Sequence, residues 1–321
     1  MRRPSRPARA AWLLLGVSAL LVACESALPA RVAPQAPHDA YVEALRAAGL
    51  DSTLLGRWWG GAARDALDAP DAPDLPAQAD IAFDAAEPAA RAWEVALREG
   101  EVLRVEVAPL DSARVFVDLF RADSTRERLD GRVALGDTLR LERPAERDEV
   151  VLLRVQPELL ASGTVGVAIA TDPSLGFPVA GVDEGAIRSR WGAPRDGGAR
   201  RHEGVDVFAD RGTPVVAAAA GRVTRVQETP VGGRVVWLRP DGAAVSLYYA
   251  HLDTQRAAPG DRVGAGDTLG TVGNTGNAAA TPPHLHFGVY GRGGAVDPEP
   301  FLVGRRPAPR TGPASGGAAG S

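Results

Sequence analysis

Apolar and polar positions alternate in Leu103-Arg104-Val105-Glu106-Val107 and again from Val115 to Phe120. That period predicts strands with one face turned inward. The apolar runs Val150–Val155 and Val165–Ala170 add two more strands, and several short strands at this spacing predict a β-sandwich module over residues 80–172. Ahead of it the period changes. Tyr41, Leu45, Leu54, Leu55 and Trp58 recur at helical spacing, with breaks at Gly49 and Gly60-Gly61, predicting one or two short helices between Asp39 and Leu67. Trp58-Trp59 fits helix packing. Residues 25–79 thus read as an Ala/Pro tether, this helical segment and a Pro/Asp linker over 68–79.

Beyond a second link at 172–183, strand-and-turn patterning returns over 184–303. Candidate strands are 214–219, 221–228, 233–239, 244–252, 267–272 and 284–290. Turns are marked by Gly232-Gly233, Asp241-Gly242, Pro259-Gly260 and Gly273-Asn274-Thr275-Gly276. The tail, 304–321, is Gly, Pro, Ala and Ser with arginine, a composition that predicts disorder. The fold class is mainly β.

Composition narrows the function classes. A chain of 321 residues that is 45% hydrophobic can bury a substantial core. Its formal net charge of -4 gives no basis for nucleic-acid binding. All 36 basic residues are arginine, which reads as compositional bias. The single cysteine, Cys24, excludes an internal disulfide and a thiolate zinc site.

Arg2, Arg3, Arg6 and Arg9 form a basic leader, followed by an apolar stretch from Ala11 to Ala23 and then Cys24. The stretch is too short to span a bilayer, which takes about 20 residues. Leu21-Val22-Ala23-Cys24 resembles a bacterial lipoprotein signal over residues 1–24. The resemblance implies lipidation at Cys24, a membrane anchor through that lipid, and location at the cell envelope.

Candidate chemistry lies among the five histidines, His38, His202, His251, His284 and His286. His284 and His286 are two apart in strand-like sequence, so both imidazoles share a face. His202 and Asp206, four apart, share a face of a strand, which Gly204, Val205, Val207 and Phe208 favour. His202, Asp206 and one histidine of the pair then make three ligands, and an open fourth position for water is what a catalytic Zn²⁺ requires. Two histidines, His251 among them, are left to move a proton and steady an oxyanion. Tyr249 shares the strand period of His251 and reaches either the site or the core. Glu203 is expected on the face opposite His202, Arg190 beside Trp191-Gly192 in a structural role, and His38 without chemistry at the edge of the tether.

His-x-x-x-Asp, Gly212-Thr213-Pro214-Val215, Tyr249-Ala250-His251-Leu252, Gly273-Asn274-Thr275-Gly276 and Pro283-His284-Leu285-His286-Phe287 follow in that order. In this the segment from Arg190 to Leu302 resembles the lysostaphin/LytM-type zinc metalloendopeptidases. The resemblance implies one Zn²⁺ per chain bound by His202, Asp206 and His286, with His251 and His284 as the catalytic pair. It also implies an antiparallel β peptidase domain of the duplicated-hybrid-motif type with a groove for extended peptide, and peptidoglycan as substrate.

The chain departs from the family pattern at Pro283, where Gly is usual, at Gly288, where Glu is frequent, and in the loop 276–282. Two alternatives stay open: a non-catalytic relative that binds wall or activates an amidase, and an endopeptidase acting on protein. No residue identifies a cell-division or amidase partner.

Overall fold

The computed structural model describes residues 35–109 and 113–305. The leader with Cys24, and the tail beyond Arg305, lie outside the described residues. Two helices come first, α1 (Pro37–Ala47) and α2 (Leu54–Asp68), the second capped by Thr53, whose side chain accepts from the Gly56 amide.

Eight strands follow: β1 (Ala77–Phe83), β2 (Arg91–Leu97), β3 (Glu101–Ala108), β4 (Val115–Arg121), β5 (Arg128–Ala134), β6 (Leu139–Pro144), β7 (Glu149–Pro157) and β8 (Gly163–Pro173). They form two antiparallel sheets, β1-β8-β3-β6 and β2-β7-β4-β5. Leu103, Val105 and Val107 from one sheet and Val117, Leu119, Leu153 and Val155 from the other share one core cluster. This is the sandwich that alternation predicts. β1 begins at Ala77, inside the stretch read as linker, and Asp71 already bridges to Trp93.

Strand β4 is buried on both faces, which pure alternation does not foresee. Val115, Val117 and Leu119 point into the sandwich. Phe116, Asp118 and Phe120 point outward, and the helical segment covers that face, with Phe116 packed against Leu45 of α1 and Trp59 of α2. The polar groups trapped there are paired. Arg154 donates to Asp118 at 2.6 Å, and Arg128 lies 3.1 Å from the other Asp118 oxygen. His38 is not idle: it is buried, stacked on Trp59 at 5.1 Å between ring centroids, and its Nε2 donates to Gln156 Oε1 at 2.9 Å. Gln156 in turn donates to the Trp59 carbonyl. Trp59 is the packing residue of the Trp pair, whereas Trp58 is exposed.

The remaining strands are β9 (Ile187–Ser189), β10 (Pro194–Arg195), β11 (Arg200–Arg201), β12 (Val205–Phe208), β13 (Pro214–Val216), β14 (Gly221–Thr229), β15 (Gly233–Pro240), β16 (Ser246–Leu252), β17 (Thr254–Gln255), β18 (Arg262–Val263), β19 (Thr268–Thr271), β20 (His284–Gly291) and β21 (Gly294–Val296). The main antiparallel sheet runs β18-β14-β15-β16-β20-β12-β9, with β21 added on β20. A small sheet, β13-β19-β17, packs behind it, and Val215, Leu269, Tyr249, Leu285 and Phe287 join one core. A last helix, α3 (Glu299–Leu302), seats Phe301 in that core. Arg305, in the stretch expected to be disordered, donates to Glu101 at 2.6 Å. Among the described residues no helix is long and apolar enough to cross a membrane.

Candidate metal centre

The centre is built on adjacent strands. In the register of β12 against β20, Asp206 stands opposite His286 and Phe208 opposite His284. Directly opposed residues in an antiparallel pair project to the same face, so Asp206, Phe208, His284 and His286 all face one cleft while Val205, Val207, Leu285 and Phe287 fill the core. His202 does not lie on a strand with Asp206. It sits in the connection just before β12 and comes back over the sheet face. Gly204 makes that return possible. A Cβ there would stand 2.5 Å from the Phe287 carbonyl oxygen and 2.6 Å from Cε1 of His286, so only a hydrogen fits.

Three donor atoms converge. His202 Nε2, Asp206 Oδ1 and His286 Nδ1 are each 3.0 Å from the other two. The proton bookkeeping at His202 is fixed by its far nitrogen. Nδ1 lies 3.0 Å from the Arg190 carbonyl oxygen, which can only accept, so Nδ1 carries the proton and Nε2 presents a lone pair. A lone pair, a second imidazole nitrogen and a carboxylate oxygen facing one point repel unless a cation or proton sits among them. The ligand edges of a tetrahedral Zn²⁺ shell with bonds of roughly 2.0–2.1 Å are roughly 3.3 Å long, close to the separations present. The donor set therefore fits Zn²⁺. Among the described residues this is the cluster of three or more potential ligands close enough to hold an ion.

Electrostatics agree. Burial opposes charge on Asp206, but the His202 and His286 imidazoles beside it outweigh it and hold the carboxyl well below its ordinary range. Burial, set against the hydrogen bond to Asp206, pushes His286 down. Both favour the deprotonated donors a metal needs.

His251 reaches the same cleft by an irregularity. The β15–β16 register shifts between Arg234 and Val236, and His251 has φ of +63°. Such a bulge re-aims a side chain. His251 consequently joins Tyr248 and Ala250 on the cleft side. Tyr249, which simple alternation would pair with His251, is fully buried, its hydroxyl accepting from the Ala218 amide at 3.0 Å. Tyr248 is the tyrosine that lines the cleft.

The two remaining histidines are oriented alike. His251 Nδ1 donates to the Thr275 carbonyl at 2.9 Å, and His284 Nδ1 donates to the Pro282 carbonyl at 2.9 Å. Thr275 is itself pinned, its hydroxyl accepting from the Arg234 amide and donating to the Leu252 carbonyl. That is the physical content of the Gly-x-Thr-Gly motif. Gly276, at φ of +72°, lets the loop turn against Gly233, where a Cβ would meet the Gly233 nitrogen at 2.3 Å. The imidazoles of His251 and His284 lie edge to face at 5.1 Å. Burial, then the neighbouring His286 and His284, push His251 down to about 4, so it is neutral near pH 7.

The cleft encloses about 620 Å³. One wall is aromatic: Trp237 packs on Tyr248 at 4.6 Å and on Tyr290 at 5.0 Å, and Tyr248 meets His286 edge-on. Burial, with Glu203 and Tyr248 nearby, pushes the Tyr290 phenol up to about 12, so it stays protonated. Gly288 lies under that ring, where a Cβ would be 2.9 Å from Cε2 of Tyr290. The glycine at this position and the tyrosine beside it are thus one packing solution. Pro283 leaves the His284 contact to Pro282 intact. Asn274 anchors the 276–282 loop by donating to the Ala279 and Thr281 carbonyls.

Residues 200–298 match the profile described as peptidase family M23. The segment is an M23 peptidase domain. Among curated proteins, the chain is 36% identical over 138 residues to an L-Ala–D-Glu endopeptidase of Bacillus subtilis (strain 168), covering 39% of this chain and 42% of that protein. It is 36% identical over 94 residues to the peptidoglycan DD-endopeptidase ShyC of Vibrio cholerae, covering 29% and 21%. It is 36% identical over 108 residues to the uncharacterized lipoprotein YgeR of Escherichia coli (strain K12), covering 33% and 40%. The chain thus spans less than half the length of each of these relatives. All the histidines discussed here except His38 fall within the M23 domain, as does Asp206.

Proposed function

We propose that the protein is a zinc metalloendopeptidase that hydrolyses peptide bonds of peptidoglycan, with His202, Asp206 and His286 holding the metal and His251 and His284 moving protons. The observation that carries this reading is the triangle of donor atoms, 3.0 Å on each side, with two further imidazoles beside it in one cleft. Zn²⁺ there supplies the charge that makes water acidic enough to react near neutral pH.

The chain supplies the rest. The Thr275 and Pro282 carbonyls fix the Nδ1 protons of His251 and His284, leaving Nε2 of each as the nitrogen that exchanges protons. Being neutral near pH 7, His251 accepts a proton at Nε2 and returns it to the leaving amine. His284, whose Nε2 stands 4.0 Å from Asp206 Oδ1, serves as the partner that, when protonated, donates to the developing oxyanion. The cleft runs across strand faces, a shape that suits extended peptide.

The names of the M23 relatives, which include a peptidoglycan endopeptidase and a lipoprotein, support the substrate and agree with a lipid anchor at Cys24. On this reading the chain works at the cell envelope, held through its lipidated N-terminal segment, and the sandwich acts as a spacer or binding module without chemistry of its own.

The test is to incubate the purified chain with isolated peptidoglycan and identify the fragments by mass spectrometry. New termini within stem or bridging peptides are expected. Intact peptides throughout, with cleavage of a protein substrate instead, would replace wall by protein as the target. Separately, Cys24→Ala should move the protein from the membrane to the soluble fraction, and an unchanged distribution would remove the anchor.

A further inference from the structure

Arg195 lies outside every motif of the sequence, yet it touches a proposed metal ligand. It ends the two-residue strand β10, which pairs with β11 so that Arg195 stands opposite Arg200. From there its Nη2 reaches the floor of the cleft and donates to Asp206 Oδ2 at 2.5 Å and to Ser189 Oγ at 2.8 Å. Ser189 is on β9, the strand next to β12, and is itself the register partner of Asp206. The guanidinium is therefore held from two sides.

The two oxygens of Asp206 have divided surroundings. Oδ1 faces His202 and His286, each at 3.0 Å, whereas Oδ2 faces Arg195. A carboxylate beside a divalent cation can bind through one oxygen or both. A charge-assisted hydrogen bond on the outer oxygen favours the one-oxygen form, because the second oxygen would have to give up that bond to turn inward. The carboxylate is also almost enclosed, its side chain only 8% exposed, so water offers Oδ2 little substitute.

We infer that Arg195 is a positioning residue: it holds Asp206 to the metal through Oδ1 alone and thereby keeps one coordination position free for water. The inference rests on the metal-centre reading above. It explains why a cationic side chain is tolerated beside a cation site: its partner is the outer oxygen, and it acts on geometry more than on charge balance. It also separates two properties that removal of a ligand would lower together. Without Arg195 the site keeps its three ligands and gains a fourth donor atom from Asp206, so metal is held as tightly or more so, while the position needed for water is lost.

The experiment uses the full chain loaded with Co²⁺, whose visible absorption reports coordination number, and with Zn²⁺ in competition with a chromophoric chelator. In Arg195→Met the Co²⁺ absorption is expected to weaken as coordination rises, the Zn²⁺ affinity to be unchanged or higher, and kcat to fall about 10–100-fold. Arg195→Lys, which keeps a cationic donor, should return the wild-type spectrum. Arg195→Gln guards against a folding defect of the apolar variant and should resemble Arg195→Met.

An unchanged Co²⁺ spectrum in both Arg195→Met and Arg195→Gln overturns the inference, as does a parallel loss of Zn²⁺ affinity and turnover. Spectrum and affinity need no substrate. A wild-type chain that binds metal but does not turn over peptidoglycan would overturn the wall-substrate reading and leave this one standing. A wild-type chain that binds neither ion overturns both.

Discussion

Asp206 on β12 and His286 on β20 are direct cross-strand partners, with Oδ1 and Nδ1 3.0 Å apart. The register of a two-strand ladder therefore sets the distance between two metal-binding atoms. A one-residue slip of β12 would send Asp206 into the core and bring Val205 and Val207 to the cleft, while β20 stays fixed by its pairing with β16. Burial of those two valines makes that slip costly, so the hydrophobic core and the metal site enforce each other.

The third donor depends on Gly204. In Gly204→Ala the new methyl would collide with the Phe287 carbonyl and the His286 ring. Neither can retreat far, because one belongs to the sheet backbone and the other is packed against His202, Asp206 and Tyr248. The expected result is a loss of Zn²⁺ affinity of at least about tenfold with the fold retained, read by chelator competition and by thermal unfolding. Wild-type affinity in this variant would show that the loop before β12 has more room than the structure gives it.

His251 and His284 should separate metal binding from chemistry. Each is oriented by a backbone carbonyl and neither belongs to the donor triangle. Replacing either by alanine is expected to leave the Zn²⁺ content at one per chain while lowering kcat about 10²–10⁴-fold. His202→Ala should lower both. Metal content by mass spectrometry, set beside turnover, distinguishes the two classes.

Thr275 acts on His251 through its carbonyl, and its hydroxyl fixes that carbonyl by two hydrogen bonds, to the Arg234 amide and the Leu252 carbonyl. Thr275→Val keeps the volume and removes both. We expect kcat to fall about tenfold or more with Zn²⁺ affinity unchanged. A matching loss of metal would mean that the loop supports the donor triangle instead.

Remote from the cleft, His38 makes stability depend on pH. Burial, then Arg154, holds its folded value below the ordinary 6.5. In the interval between the two values the unfolded chain binds more protons than the folded one, so stability rises with pH there. The contribution is present above about pH 6.5 and is lost as pH falls through the folded value. Denaturant unfolding at pH 8 and pH 5 should show lower stability at pH 5. His38→Gln should flatten part of that difference without changing the cleft. An equal slope in the variant would assign the pH dependence elsewhere.

Much of this was legible in the sequence where one rule governs one element. The strands carrying Leu103–Val107 and His284–Val289 follow period two, and the structure has them close to the expected limits. The rule failed where tertiary structure intervenes. In β4 only Asp118 among Val115–Phe120 is polar, and helices cover the outer face that alternation would leave to solvent. His251 breaks alternation through a bulge, so the cleft receives Tyr248 and not Tyr249. His202 reaches the site from a connection, through the space left at Gly204. Arg195 had no signal, because a lone arginine in Pro-Arg-Asp-Gly-Gly reads as an ordinary turn and its partner is 11 residues away across the sheet. His38 was missed for a similar reason, since Gln156 and Trp59 are distant in sequence.

The most direct test of the central claim is release of amino groups from purified peptidoglycan by the Zn²⁺-loaded chain, repeated after chelation and after Zn²⁺ is restored. The account predicts release that stops on chelation and returns with Zn²⁺, and that is absent from both His202→Ala and His284→Ala. No release by a wild-type chain shown to hold one Zn²⁺ would contradict it.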